Sequence, residues 1–291
     1  MPRLGAHLSI AGGLPRAIDR AEASRCEALQ IFTKSVGQWR ARPIPGEEAA
    51  LFRSRARDSG LPIVAHNSYL INIAAADRAL RAKSIAALRE EVDRAELLEL
   101  DGLVMHPGSY TTASEGEGLR LVAVGLAAIL RSRPRGRLKI LLEHTAGQGT
   151  NLGHRFEHLA SIIERLDGSP RVGVCLDTCH LLAAGYDLCS EAGYAATFAD
   201  FDRIVGLDRL ALFHLNDSKK PCGSRVDRHE HIGRGCLGLD PFRRIVTDPR
   251  FQGVPMVLET PKLDTPESRR RSDADPWDMR NLRTLRRLVK V

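Results

Sequence analysis

The sequence is short of several things, and each shortage removes a class of protein. No run of roughly 18 apolar residues occurs, so no segment reads as a membrane-spanning helix. The first residues (MPRLGAHLS) show no charged stretch followed by a hydrophobic segment and a cleavage site, so a cytoplasmic protein without membrane contact is expected. The six cysteines (Cys26, Cys175, Cys179, Cys189, Cys222, Cys236) form no Cys-x-x-Cys pair. A chain of 291 residues buries enough surface to fold without disulfides, so reduced, mostly buried thiols are expected. No Gly-x-Gly-x-x-Gly turn is present, which removes the main signal for a dinucleotide site. No linker or low-complexity run divides the chain, and residues 1–291 are expected to form a single domain.

What is there is basic and regular. Lys and Arg number 43 against 36 Asp and Glu, a net charge of +7 that leans towards a polyanionic partner. Eight short apolar runs recur, at residues 3–9, 28–32, 62–66, 102–108, 138–144, 171–177, 209–215 and 255–259. Helical patterns separate them, among them residues 14–24, a long one with Ile85, Leu88, Val92 and Ala95, and another with Leu119, Val122, Leu126 and Ile129. Further helices are expected over 154–166, up to Val205, over 241–246, and at the end, where Leu282, Leu285 and Leu288 share a face. Strand and helix in alternation imply parallel strands joined by right-handed crossovers. Eight such units predict a closed (β/α)8 TIM barrel, with an open doubly wound sheet as the alternative.

In such a barrel the carboxyl ends of the strands build the site. The third to eighth runs end in His66, His106, Glu143, Asp177, His214 and Glu259. Alternation along a strand places Val64, Val104, Leu141, Cys175, Leu212 and Val257 on the same inward face. A single His or Asp at a strand end is ordinarily a cap or a satisfied core group. Carboxylates gathered from several strand ends repel one another unless cations lie between them, and metal resolves the conflict. His180 follows Asp177 by three residues, and Asp227-Arg228-His229 sets two further ligand types on an extended loop. The candidate set is then five histidines and four carboxylates without a thiolate. Such donors suit zinc best, with manganese or iron as alternatives. His144 is expected to face the helix layer, His154 and His158 to lie on a solvated helix face, and His7 to support the ligands from the first strand.

With these residues in place the chain resembles the endonuclease IV family of apurinic/apyrimidinic (AP) endonucleases. The likeness runs nearly end to end, through GAHLSIAGG, QIFTK, QWR, HNSYLINIA, MHPGS, LEHTAGQG, CLDTCHLLAAGYD, FHLNDSK, GSRVDRHEHIGRG and LETP. It implies a base-excision-repair hydrolase with a TIM barrel and three zinc ions. The phosphodiester 5′ to an abasic nucleotide in duplex DNA would be cut, leaving a 3′-hydroxyl and a 5′-deoxyribose phosphate, with 3′-blocking groups as further substrates. By the same resemblance His66 and His106 bind one zinc, and Glu143 bridges it to a second held by Asp177, His214 and Glu259. His180, Asp227 and His229 hold the third, and manganese is the alternative at one site. Glu143 would orient the attacking water, with Glu259 assisting. Tyr69 and Leu70 would enter the DNA at the lesion, and Gln38 would contact the DNA. Lys34, Arg40, Lys219, Lys220, Arg225, Arg228 and Arg234 would meet phosphates from loops after the strands, and Arg269, Arg270 and Arg271 are weaker candidates. One departure is Gly37, where family members often offer a basic side chain. A monomer is expected. The rival readings are a single-metal sugar isomerase or epimerase, for which Glu143, Asp177, His214 and Glu259 would suffice, and a non-catalytic DNA-binding module.

Overall fold

The structure, a computed structural model, describes residues 2–263 and 274–289, so Arg269, Arg270 and Arg271 lie outside the described residues. Eight strands close into a barrel: β1 (Arg3–His7), β2 (Ala28–Phe32), β3 (Ile63–His66), β4 (Gly102–Met105), β5 (Lys139–Glu143), β6 (Val172–Asp177), β7 (Leu210–His214) and, after a small hairpin described below, β10 (Pro255–Leu258). Every neighbouring pair is parallel, and β10 closes the ring on β1 with Gly5 opposite Val257. This is the TIM barrel that the alternation predicts.

Strands covered on both faces read as near-continuous apolar runs, as these do. Ala28, Val64, Val104, Leu141, Cys175, Leu212 and Val257 fill the interior, which contains every residue expected there and adds Ala28 from β2. Outside lie α1 (Pro15–Ala23), α2 (Gly46–Ser59), α3 (Arg78–Leu97), α4 (Glu115–Arg131), α5 (Phe156–Glu164), α6 (Thr178–Ala184), α7 (Glu191–Ile204), α8 (Asp240–Thr247) and α9 (Pro276–Val289). The larger cluster of apolar side chains lies between them and the sheet. Asp77 and Ser114 cap α3 and α4 by accepting from Leu80 N and Glu117 N.

Two details refine the sequence reading. The strands stop earlier than their apolar runs, so His106 and Glu259 stand one residue beyond β4 and β10. The short helix α6, not separately expected, begins directly after Asp177, whose carboxylate caps it by accepting from His180 N at 3.0 Å. Between β7 and α8 an antiparallel hairpin, β8 (Asp217–Ser218) with β9 (His229–Glu230), carries the Asp227 loop. Buried Asp217 in β8 holds the segment that follows β9 by accepting from Gly235 N and Leu237 N, both at 2.9 Å.

Candidate active site

The carboxyl mouth of the barrel brings the nine candidate residues together in three groups, each with its ligand atoms within 4.8 Å of one another: His66, His106 and Glu143; Glu143, Asp177, His214 and Glu259; His180, Asp227 and His229. These three groups have the memberships that the resemblance implies, and a further one, Asp177, Cys179 and His229, overlaps two of them. Glu143 belongs to two groups because its oxygens diverge. Oε2 faces His66 Nε2 at 3.0 Å and His106 Nε2 at 3.1 Å, while Oε1 faces His214 Nδ1 at 3.0 Å.

The imidazoles are fixed in the orientation that ligation requires. His66 Nδ1 donates to Asn67 O at 2.7 Å and His180 Nδ1 to His144 O at 2.8 Å. His229 Nδ1 donates to Glu259 O at 3.2 Å. A proton held at Nδ1 leaves the Nε2 lone pair facing the cluster. His214 is reversed: its Nε2 donates to Gln30 Oε1 at 2.8 Å, and Nδ1 faces Glu143 and Glu259. Buried His180 Nε2 and His229 Nε2 have no hydrogen-bond partner, although Asp227 oxygens stand 3.1 and 3.3 Å away. Lone pairs gathered around a common point without bonding one another fit a cation, and an N/O donor set fits a borderline metal such as zinc.

Electrostatics agree. Burial works against charge on Glu143 and Glu259, yet the surrounding imidazoles hold both carboxyls well below the usual range. Burial likewise opposes protonation of His180 and His214, yet the adjacent carboxylates raise His180, and Cys175 together with Glu259 and Glu143 raises His214, well above the ordinary histidine value. Without a metal, protons would provide the countercharge.

Two residues that carry this geometry were not singled out from the sequence. Gln30, fully buried, donates from Nε2 to Glu259 Oε1 at 2.5 Å, lies 2.9 Å from His7 Nδ1, and accepts from His214. Its signal was available: Gln30 is two residues from interior Ala28, a polar side chain on the inward face of ALQIF. Asn216 donates to Asp177 Oδ2 at 2.6 Å and accepts from Glu259 N at 2.8 Å. His7 lies against Glu259 at 3.1 Å, in the supporting place expected of it.

Three expectations need correction. Lys34 is not on the rim: its ammonium is buried, donating to Gln38 O and Trp39 O at 3.0 Å each and pairing with Glu91 at 3.6 Å. His158 is not solvated; it is 1% exposed, accepts from Gly153 N at 3.1 Å, and meets Arg155 Nε and Glu115. Glu115, His154 and His158 also converge, but the Arg155 guanidinium bonds both Glu115 and His158 and already provides the cation there. Tyr69 and Leu70 lie in a turn well before α3, with Tyr69 61% exposed and its ring 5.3 Å from that of His66. Three of the six free cysteines, Cys189, Cys222 and Cys236, are exposed. His144 does face the helix layer, between Phe156 and Tyr186. Arg40, Lys219, Lys220, Arg225, Arg228, Arg234 and Gln38 are exposed on the rim loops, and a Cβ added at Gly37 would meet nothing within 4 Å.

A closed parallel barrel with metal-type ligands at its carboxyl mouth defines the class, and the family model described as xylose isomerase-like TIM barrel matches residues 18–285. The "Probable endonuclease 4" of Chloroflexus aurantiacus (strain ATCC 29366) is 51% identical over 263 residues, covering 90% of this chain and 92% of its own. That of Citrifermentans bemidjiense is 48% identical over 291 residues and the full length of both. The crystal structure of endonuclease IV from Thermus thermophilus superposes with a TM-score of 0.85 at 39% identity, covering 99% of each chain. The chain belongs to the endonuclease IV family, a family of DNA-repair nucleases. Among the described residues no helix is long and apolar enough to cross a membrane.

Proposed function

We propose that the chain, acting as a cytoplasmic monomer of one domain, hydrolyses the phosphodiester on the 5′ side of an abasic nucleotide in duplex DNA. The products are a 3′-hydroxyl and a 5′-deoxyribose phosphate, and 3′-blocking groups are removed by the same attack. The observation that carries this reading is the set of three ligand groups, two of them joined through Glu143. His66, His106 and Glu143 would hold one zinc; Glu143, Asp177, His214 and Glu259 a second; His180, Asp227 and His229 a third, with manganese as the alternative at one site. Bound there, such ions supply Lewis acidity towards phosphoryl oxygens and make water nucleophilic near neutral pH.

The chain's own residues do the rest. Glu143, buried between two groups, orients the attacking water in line with the scissile P–O bond. Glu259, braced by Gln30 and His7, assists from the end of β10. Gln38, Tyr69 and Leu70 occupy the gap left by the missing base; the sugar leaves the helix most cheaply where stacking is already lost. Arg225 and Arg228, exposed on the loop that carries Asp227, position phosphates, as Arg40, Lys219, Lys220 and Arg234 can from neighbouring loops. Lys34 has no direct part in this.

A single-metal isomerase would use only Glu143, Asp177, His214 and Glu259, leaving His66, His106, His180, Asp227 and His229 converging without purpose. The test is direct. Metal-replete protein should contain about three zinc ions per chain and nick a duplex 5′ to a single abasic analogue. A count near one favours the isomerase, and intact duplex refutes the nuclease reading.

A further inference from the structure

The burial of Lys34 leads to a specific feature beneath the rim. Two loops reach the proposed lesion pocket from neighbouring strands: residues 33–45 after β2, with Gln38 and Trp39, and residues 67–77 after β3, with Tyr69 and Leu70. Neither loop has regular structure to fix its path. Both instead converge on Glu91, in the middle of α3 and 1% exposed. Glu91 Oε1 accepts from Ser68 N at 3.1 Å and Oε2 accepts from Thr33 Oγ1 at 3.2 Å. The Lys34 ammonium, 3.6 Å from Oε1, donates onward to the carbonyls of Gln38 and Trp39.

A second link joins the loops directly. Ser68 Oγ donates to Val36 O at 2.6 Å and accepts from Leu70 N at 3.3 Å. The rest of the same helix face completes the arrangement. Arg94 donates to Thr33 O and Oγ1 and to Arg42 O, Glu90 accepts from Ala41 N at 3.2 Å, and the Lys83 ammonium lies 4.1 Å above the Trp39 ring. A buried ion pair is a poor source of stability, and well-packed apolar residues would serve as well or better. What it provides is definition, because each charge must be satisfied in one geometry.

We infer that Glu91 and Lys34 are positioning residues for lesion recognition: they lock the Gln38–Trp39 loop to the Tyr69–Leu70 loop so that both meet the DNA as one rigid reader. This rests on the AP-endonuclease reading. Neither side chain touches the ligand groups, so their loss should alter recognition and leave the metal centre intact.

Two variants test it, Glu91→Gln and the double variant Lys34→Met/Glu91→Gln. The double variant keeps an acceptor for Ser68 N–H and leaves no unpaired buried charge, so it folds even if the single variant does not. For both, KM for an abasic duplex should rise about tenfold, the effect of losing roughly 1.4 kcal/mol of preorganisation, while kcat and zinc content change less than about twofold. In wild type the effects of Gln38→Ala and Tyr69→Ala on KM should be non-additive, and in the Glu91→Gln background they should become additive. An unchanged KM, or a fall in kcat and zinc content together, overturns the inference. Amide exchange separates it from the functional reading: protection at residues 36–40 and 68–71 should fall jointly in the variants whatever the substrate. If those loops loosen together in a protein that does not cleave abasic DNA, the function was misread; if they do not loosen, the coupling was.

Discussion

Gln30 shows how much of the centre depends on a side chain that need not touch a metal. It holds the Nε2–H of His214 and so presents Nδ1 to the carboxylates, while its amide fixes Glu259. Partners that orient ligands typically contribute ten- to a hundredfold in metal affinity. Gln30→Ala should therefore weaken zinc binding by roughly that factor in competition with a chromogenic chelator; unchanged affinity would show that His214 is oriented by other contacts. A residue remote from the mouth should reveal itself through pH. Asp248 is partly buried, which opposes its charge, but Arg250 at 2.6 Å and the Tyr194 hydroxyl at 2.9 Å hold its carboxyl below the usual value. A depressed carboxyl stabilises the fold above its unfolded pKa, near 3.9, and that contribution disappears as pH falls through the lower folded value. Asp248→Asn should thus melt below wild type at pH 7, with the gap closing as the pH drops below about 4. A gap that stays constant with pH would remove the ion pair as its cause.

At the scale of elements, the barrel was legible because each strand writes its own signal: an apolar run with a polar end. Six of the candidate ligands were legible for the same reason, since strand order brings His66, His106, Glu143, Asp177, His214 and Glu259 to one mouth in any such barrel, whereas their division into groups came only with the resemblance. What the pattern could not convey was contact between loops. Lys34 reads as a rim cation in TKSVGQWR because nothing local announces Glu91, 57 positions later in a helix whose spacing otherwise looks amphipathic. His158 likewise reads as solvated until α4 brings Glu115 beside it. Strand β1 supplies a sharper test of element packing. Gly5 is opposite Ala28 of β2, and a Cβ added there would stand 1.8 Å from Ala28 O. Gly5→Ala should cost about 2–3 kcal/mol or more of stability, read from the denaturant midpoint, because backbone rather than a flexible side chain must move. A midpoint within error of wild type would mean that β1 and β2 can separate freely.

The whole molecule concentrates four carboxylates and five histidines in one opening, an arrangement that favours unfolding unless something offsets it. Because the proposed metals would bind the native chain far better than the unfolded one, chelation should lower the melting temperature and added zinc should restore it. An unshifted melting curve would argue against structural metal. Association with DNA should weaken steeply with salt, and Arg228→Ala should reduce the slope of log KM against log salt by roughly one unit. An unaltered slope would place that guanidinium away from phosphate.

Glu143 presents one oxygen to each of two clusters. Ions bound in the two groups would share that carboxylate, so the filling of one site would depend on the filling of the other. Uptake at the pair should therefore be coupled, and Glu143→Gln should uncouple it, bringing the Hill coefficient to one. Repair capacity would then follow the filling of the pair as a unit, so that one side chain sets how the nuclease responds to free zinc.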